Sequence, residues 1–373
     1  MQLVVVDSLA AWADAVAALP AAGPLPSRTV LVPSERHAHA LRRALVRSGR
    51  AAILGGARFL GPLAAAAEVL RSAGTPFQPG EGALRPARLL SLFREDLPLA
   101  HFDLDLLRTA RGWHAAFASA IADLEAAGLG PDDLPADIPA LRDLALLWRR
   151  GAEEAGASWS AARVLREAAA LLSRDARAWP FAGPALAVAT GHETAALARF
   201  VTSIPSLTLA LRTARPITER HAARVAALFG AEAALRLRAA CRAPIAGAAP
   251  APRSERDLLA AGLLADPAAL AGPDRPRSAG PDGTVALEEH AGVDAELEAT
   301  ALWVTRQVLE ARRPLDEIAV LVPSQDPLAQ LVADRLERLL VEGRPLAVHV
   351  AGGVPATSTA AGARMLAAVR ALR

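Results

Sequence analysis

Short apolar runs alternate with amphipathic stretches over the first 72 positions. Residues 2–6 (QLVVV) and 29–32 (TVLV) are runs of this kind, each followed by a segment whose apolar positions recur every three or four residues, 9–19 and 35–48. Bounded apolar runs of that length predict strands buried on both faces, and the 3.6-residue period predicts helices. A third strand is expected at 52–54, before Gly55-Gly56, and a helix at Pro62–Ser72 with proline in its first turn. Strands alternating with amphipathic helices imply an α/β fold with a parallel sheet.

The pattern changes near residue 86 and is helical to about 180. Trp113, Phe117, Ile121 and Leu124 share one helical face, and Leu141, Leu144, Leu147 and Trp148 mark another; Gly128 and Gly130 end the first of these helices. Strand patterns return at 185–189 (ALAVA) and 207–211 (LTLAL). The chain therefore divides into an α/β part at 1–85, a helical insertion at 86–180, a return to the first domain at 181–242, an Ala/Pro/Gly-rich linker at 243–283 and a second α/β segment at 284–373. The linker holds one short helix at 256–264. The second segment predicts strands at 285–288, 318–322 and 346–350, with helices at 294–311, 326–340 and from 359 onward. The last helix reaches Arg373 without a glycine or asparagine stop, so the natural domain is expected to continue.

One phrase is written twice. TVLVPSERHAHAL begins at Thr29 and AVLVPSQDPLAQL at Ala319. Both read as a strand, a Pro-Ser corner and a helix. Ser34 and Ser324 stand where a helix begins, a position that serves either to cap the helix or to hold a phosphate on its first N–H groups.

Composition narrows the chemistry. The chain is 53% hydrophobic, has no lysine and no tyrosine, and carries all 41 basic residues as arginine at a net charge of +2. Cys241 is alone, which excludes an internal disulfide or a cysteine zinc site and fits a reducing cytoplasm. No apolar run approaches the roughly 20 residues that span a bilayer, and the N-terminus has no signal-peptide pattern. A phosphate-binding loop of the G-x-x-x-x-G-K-[ST] type needs a lysine, so it cannot exist here. The strand at 185–189 runs into ATGHETAAL instead of a strand-end acid pair. Thr190 and Glu193 there fit a helix start, Thr190 as cap and Glu193 as its partner three residues on; His192 and Glu193 also leave open a weak metal or base role. Asp316-Glu317 reads as a solvated turn. His37 and His39, two apart, point to different helical faces. No catalytic residue, metal ligand or cofactor follows.

The positive charge is local. Residues 28–50 hold six arginines (28, 36, 42, 43, 47 and 50) against one acid, Glu35. Arg36, Arg43, Arg47 and Arg50 fall on one helical stripe opposite Ala38, Leu41 and Leu45. Such a stripe is either a solvated face or a contact surface for phosphates.

Four stretches carry a family resemblance: TVLVPSERHAHALRRALVRSG, ILGGARFLGPLAAAAEVLRSAG (with Arg58), the insertion FASAIADLEAAGLGPDDLP…LRDLALLWRRGAEEAG, and EEHAGVDAELEATALWVTRQVLEARRPLDEIAVLVPSQDPLAQLVADRLERLL with PLAVHVAGGVPATSTAAGARMLAAVRAL. Together they resemble the AddB-type subunit of bacterial helicase–nucleases, a PD-(D/E)XK nuclease family, in its N-terminal, UvrD- and RecC-like inactivated helicase portion. The resemblance implies two RecA-like, P-loop NTPase-like parallel-sheet domains, the first split by the insertion and the second incomplete. It implies a cytoplasmic DNA repair and recombination setting, single-stranded or end-processed DNA as ligand and a helicase–nuclease partner subunit. Ser34, Arg36, Arg43, Arg47, Arg50 and Arg58 are the candidate nucleic-acid contacts. It does not carry over ATPase, helicase or nuclease activity, because the residues for them are missing. An α/β enzyme acting on a small molecule, and a truncated reading frame without independent activity, remain as alternatives.

Overall fold

The computed structural model describes residues 1–20, 27–109, 112–212, 219–242, 254–262, 281–323, 325–341, 343–350 and 360–371. Ser324 and most of the 243–283 linker lie outside the described residues. The chain divides into two units, Met1–Asp282 and Gly283–Arg373.

The first unit is α/β, as the apolar runs imply. Its strands β1 (Gln2–Val6), β2 (Arg28–Leu31) and β3 (Ala57–Leu60) precede the insertion. A short pair, β4 (Gln78–Pro79) and β5 (Ser158–Trp159), brackets it, and β6 (Ala185–Ala189) and β7 (Leu207–Arg212) follow. The main sheet is fully parallel in the order β1-β7-β6-β2-β3. Every residue of β2 and β6 is buried. Strands covered on both faces need apolar side chains at every position, which is why they read as unbroken runs.

Helices α1 (Leu9–Ala17) and α2 (Glu35–Arg47) cover one face, packing on Val30, Leu186 and Val188. Helix α3 (Pro62–Ser72) lies on the other, against Leu31, Ala187 and Leu209. The insertion follows as α4 (Glu81–Leu92), α5 (Leu104–Thr109), α6 (Trp113–Ala126) and α7 (Pro139–Ala155). Then α8 (Ala161–Arg174), α9 (Ala195–Ser203), α10 (Glu219–Phe229) and α11 (Ala231–Arg242) return to the α3 face. The linker holds α12 (Glu255–Gly262).

Three boundaries differ from the sequence reading. The expected strand at 52–54 is a 3-10 turn, Ala51–Gly55, which packs Ile53 and Leu54 on the α2 side of the core; the strand comes after the glycine pair. As an edge strand, β3 is less buried and carries Arg58, so it shows no unbroken apolar run. The insertion begins at Glu81, not 86, with Pro86 inside α4. It ends before 160, because α8 packs into the main core through Val164, Leu165 and Leu172. Its neck is the β4–β5 pair, with Phe77 stacked on Trp159 at 5.5 Å.

The insertion has its own core, in which Phe117, Ile121, Leu144, Leu147 and Trp148 meet as their spacing predicts. Gly128 stops α6 at φ +81°, with its N–H on the Glu125 carbonyl and that of Leu129 on the Leu124 carbonyl. Asp143 accepts the N–H groups of Ala100, His101 and Phe102 at 2.7–3.1 Å and pins that loop to α7. Burial pushes its carboxyl up, but those three donors outweigh burial and hold it below the usual range. Arg85 and Ser160 both donate to Glu125 at 2.8 Å, and all three are buried. This pair ties α4 and α6 to the start of α8.

The second unit contains α13 (Val293–Leu309), α14 (Gln330–Glu337, preceded by a π-helical turn at Gln325–Ala329), a two-residue antiparallel pair, β8 (Leu340–Val341) with β9 (Arg344–Pro345), and α15 (Ala360–Ala371). The strands expected at 285–288, 318–322 and 346–350 form no ladder. Ile318, Val320, Val322, Leu346 and Val348 still face the α13–α14 core at every second position, while Leu321 is 95% and Leu287 100% exposed. The segments thus bury alternate residues as strands do, but among the described residues they join no ladder beyond Leu346, whose N–H meets the Leu339 carbonyl at 2.9 Å next to the β8–β9 pair.

Gly183 opens β6 at φ +81°, and a Cβ there would lie 2.0 Å from the Ser27 carbonyl oxygen. Gly74 shares a positive φ, +72°, but has open space around it. Gly183→Ala should destabilise the chain by more than about 1 kcal/mol in chemical denaturation, and by more than Gly74→Ala. Equal losses would show that the close approach to Ser27 is not limiting.

Candidate nucleic-acid interface at the carboxyl edge of the sheet

Helix α2 starts at the Pro-Ser corner where β2 leaves the sheet. Ala38, Leu41 and Leu45 are fully buried beneath it. This leaves Arg36, Arg43 and Arg47 exposed. Spaced seven and eleven residues from the first, they lie within about 20° of one line over about 16 Å of helix. Arg36 and Arg47 have no hydrogen-bond or ion-pair partner among the described residues. Exposed guanidiniums lined up on one face of a helix suit the oxygen pairs of successive phosphates.

The remaining arginines of this segment have other tasks. The helix ends at Arg47, and Gly49 turns the chain at φ +74°, so Arg50 leaves the stripe and pairs with Asp14 on α1. Arg58 lies 5.4 Å over the Phe181 ring. Arg42 sits 4.8 Å over Phe59 and 3.9 Å from Glu35. Arg28 is buried, with Nε and Nη2 donating to the Leu19 carbonyl at 3.2 Å. Ser34 is exposed and makes no capping bond; its hydroxyl lies 2.8 Å from His37 Nδ1.

The topology gives this corner a neighbour. From β2 the chain enters α2 on one face and moves outward to β3; from β6 it enters α9 on the opposite face and moves to β7. Adjacent parallel strands whose connections diverge in this way open a crevice at their carboxyl ends. Ser34 and residues 190–193 therefore border one crevice.

The β6 end of that crevice is already filled by an anion from within. Glu193 turns back and accepts the N–H of Thr190 at 2.6 Å, its hydroxyl at 2.9 Å and the N–H of Gly191 at 2.8 Å. A carboxylate thus occupies the donors that a phosphate would use. The Thr190–Glu193 partnership expected from sequence is present, but Thr190 does not cap the helix. Thr194 does, accepting from the Leu197 N–H at 3.2 Å, and α9 begins at Ala195. Spent on its own loop, the Glu193 carboxylate is not placed as a general base. Asp316-Glu317 lies in a 3-10 turn, as expected. Ser8 caps α1 through the Ala11 N–H at 3.1 Å. Among the described residues no group of three or more His, Cys, Asp or Glu side chains could hold a metal.

Histidines complete the edge. The rings of His192 and His221 are 6.0 Å apart, and those of His37 and Trp12 are 5.9 Å apart. Burial lowers the His221 pKa, helped by the charges of His192 and Arg224 and opposed by Glu193. Burial also lowers His37, reinforced by Arg212 at the end of β7. Sequence reading missed His221 and Arg212, because no local pattern links positions that meet only through strand order. No helix among the described residues is long and apolar enough to cross a membrane. A scan against protein-family models and a search of curated proteins both find no match.

A histidine held below its ordinary value favours the fold while neutral. His221 therefore contributes stability above pH 6.5 that is lost as pH falls through its lowered folded value. His221→Asn should lower the melting temperature at pH 7.5, and its deficit against the parent should shrink on going to pH 5. A deficit that stays constant over that range would exclude this linkage.

Proposed function

We propose that the chain is a non-catalytic, helicase-like segment of a DNA double-strand-break repair and recombination factor, which guides or scans single-stranded DNA or scaffolds a motor partner. The observation that carries this reading is the exposed line of Arg36, Arg43 and Arg47 on a helix that leaves the carboxyl edge of a parallel sheet. In a RecA-like domain this edge faces the ligands of the motor. Here the loop donors at that edge are taken by Glu193, and the chain has no lysine to reach a nucleotide phosphate. A surface that keeps arginines but has filled its own anion nest favours a polyanionic strand over a bound nucleotide. On this reading the first unit is a motor-like domain and the second unit belongs to another, with the segments at 318–322 and 346–350 packed on its α13–α14 core. The setting is cytoplasmic.

Fluorescence anisotropy with a labelled oligothymidylate tests this. The parent should bind with a strong salt dependence, and Arg36→Ala/Arg43→Ala/Arg47→Ala should weaken binding at every salt concentration. The slope of log K against log salt should fall by about 2, at roughly 0.7 per single-strand phosphate contact. Arg58→Ala should have no comparable effect, and DNA should not stimulate ATP hydrolysis. Unchanged binding by the triple variant would make the arginine line a solvated face.

A further inference from the structure

A cleft of about 410 Å³ opens on the far side of the first unit, between α8 and α9 beside the loop that follows α6. Its floor is apolar, with Ala169 and Ala196 buried. Its rim carries Arg166, Arg199, Ser173, Thr202 and Ser203. The two arginines come from different helices and converge on consecutive carbonyls. Arg199 Nη1 donates to Gly128 O at 2.7 Å, and Arg166 Nη1 reaches Leu129 O at 3.5 Å. A Cβ on Gly128 would sit 3.1 Å from the Arg199 guanidinium, so the glycine leaves room for that placement. Glu167 pairs with Arg166 at 3.3 Å, and Asp133 is committed to the Gly130 N–H at 2.7 Å. No acid is paired with Arg199 among the described residues, and its Nε and Nη2 have no hydrogen-bond partner there. Like charges gathered at one end of a cleft are complementary to an anion.

The hydroxyls say what the anion is attached to. Thr202 donates to the Ala198 carbonyl at 2.9 Å and Ser203 to that of Phe200 at 2.7 Å. With their hydrogens spent on the helix, both oxygens accept from a ligand O–H. We infer that this cleft binds a phosphate ester of a hydroxyl-bearing body, of the size of a sugar phosphate or a nucleoside monophosphate. The phosphate lies on Arg199 and Arg166, and the hydroxyls lie towards Thr202 and Ser203. The volume is within the usual range for small-molecule sites. This site is separate from the arginines of α2 and does not rest on their role.

Calorimetry and thermal shift on the full chain test it, with adenosine monophosphate, ribose 5-phosphate, adenosine and an oligothymidylate as probes. The two phosphates should bind saturably and raise the melting temperature, while adenosine should not. Arg199→Gln should weaken them about tenfold, the equivalent of one charged hydrogen bond. Ala170→Glu places a carboxylate in the cleft one helical turn from Arg166, where it competes with the phosphate for the arginines, and should abolish binding; the unliganded melting temperature should stay near that of the parent. The α2 triple variant should bind both phosphates normally. Equal responses to the phosphates in parent and Ala170→Glu, or no response in the parent, would overturn the assignment. So would binding of the oligonucleotide alone that Ala170→Glu removes, since the phosphates would then belong to a strand.

Discussion

Strand β6 is closed in on all sides. It hydrogen-bonds to β2 on one side and β7 on the other, and its five residues are buried on both faces. Its sequence, ALAVA, divides the work. Ala185, Ala187 and Ala189 face the layer of α3, α8 and α9, whose own contact residues include Ala65, Ala66, Ala168, Ala196 and Ala198. Leu186 and Val188 face α1 and α2. Small side chains on both partners bring the α8–α9 layer close to the sheet, and the larger Phe200, Leu70 and Leu209 fill what is left. Alanine buries little surface by itself, so most of the burial free energy of this face comes from those few large groups. The chain enters β6 over Gly183, where the Ser27 carbonyl leaves no room for a side chain.

That burial positions both sites. Because β6 is central and β2 is next to it, residues 190–193 and Ser34 open onto the same edge although more than 150 positions separate them. Because α2 must bury Ala38, Leu41 and Leu45, its remaining face is free to carry arginines. On the opposite layer, the close pairing of α8 with α9 brings Arg166 and Arg199 to one loop of the insertion. The insertion is thus held at two levels, by the β4–β5 neck with the Arg85–Glu125–Ser160 contacts and by these arginine–carbonyl contacts.

Glu193 shows how a loop with the position of a ligand-binding turn can be self-satisfied. Its carboxylate takes three donors within its own turn. Unpaired buried donors are expensive, and an internal acceptor at an effective concentration no free anion can match removes that expense permanently. His221, packed against Gly191, closes the same turn from α10.

Much of the fold could be read along the chain. β1, β2, β6, β7, the helix Pro62–Ser72 and the faces built on Phe117 and Trp148 follow from runs and periods, because burial on one or two faces writes itself into neighbouring residues. The edge strand β3 was expected at 52–54 and lies at Ala57–Leu60, since a half-covered strand lacks the unbroken run and Ile53-Leu54 imitated one. In the second unit the strands expected at 318–322 and 346–350 are extended segments that bury every second residue without forming a regular ladder, because an apolar segment reports that it is covered and not whether a neighbour supplies hydrogen bonds. Of the candidate site, Arg36, Arg43 and Arg47 were legible as a helical line; Arg50 and Arg58 were not separable from them, because Asp14 and Phe181 are remote in sequence. The sequence by itself determined the class of fold, the absence of a lysine-bearing phosphate loop and the location of the positive charge, all properties of composition or of residues within one turn or strand. Strand order, the filling of the Thr190–Gly191 donors, the engagement of Arg50 with Asp14 and of Arg58 with Phe181, and the cleft between α8 and α9 were decided only in three dimensions, where contacts join positions that no local period connects.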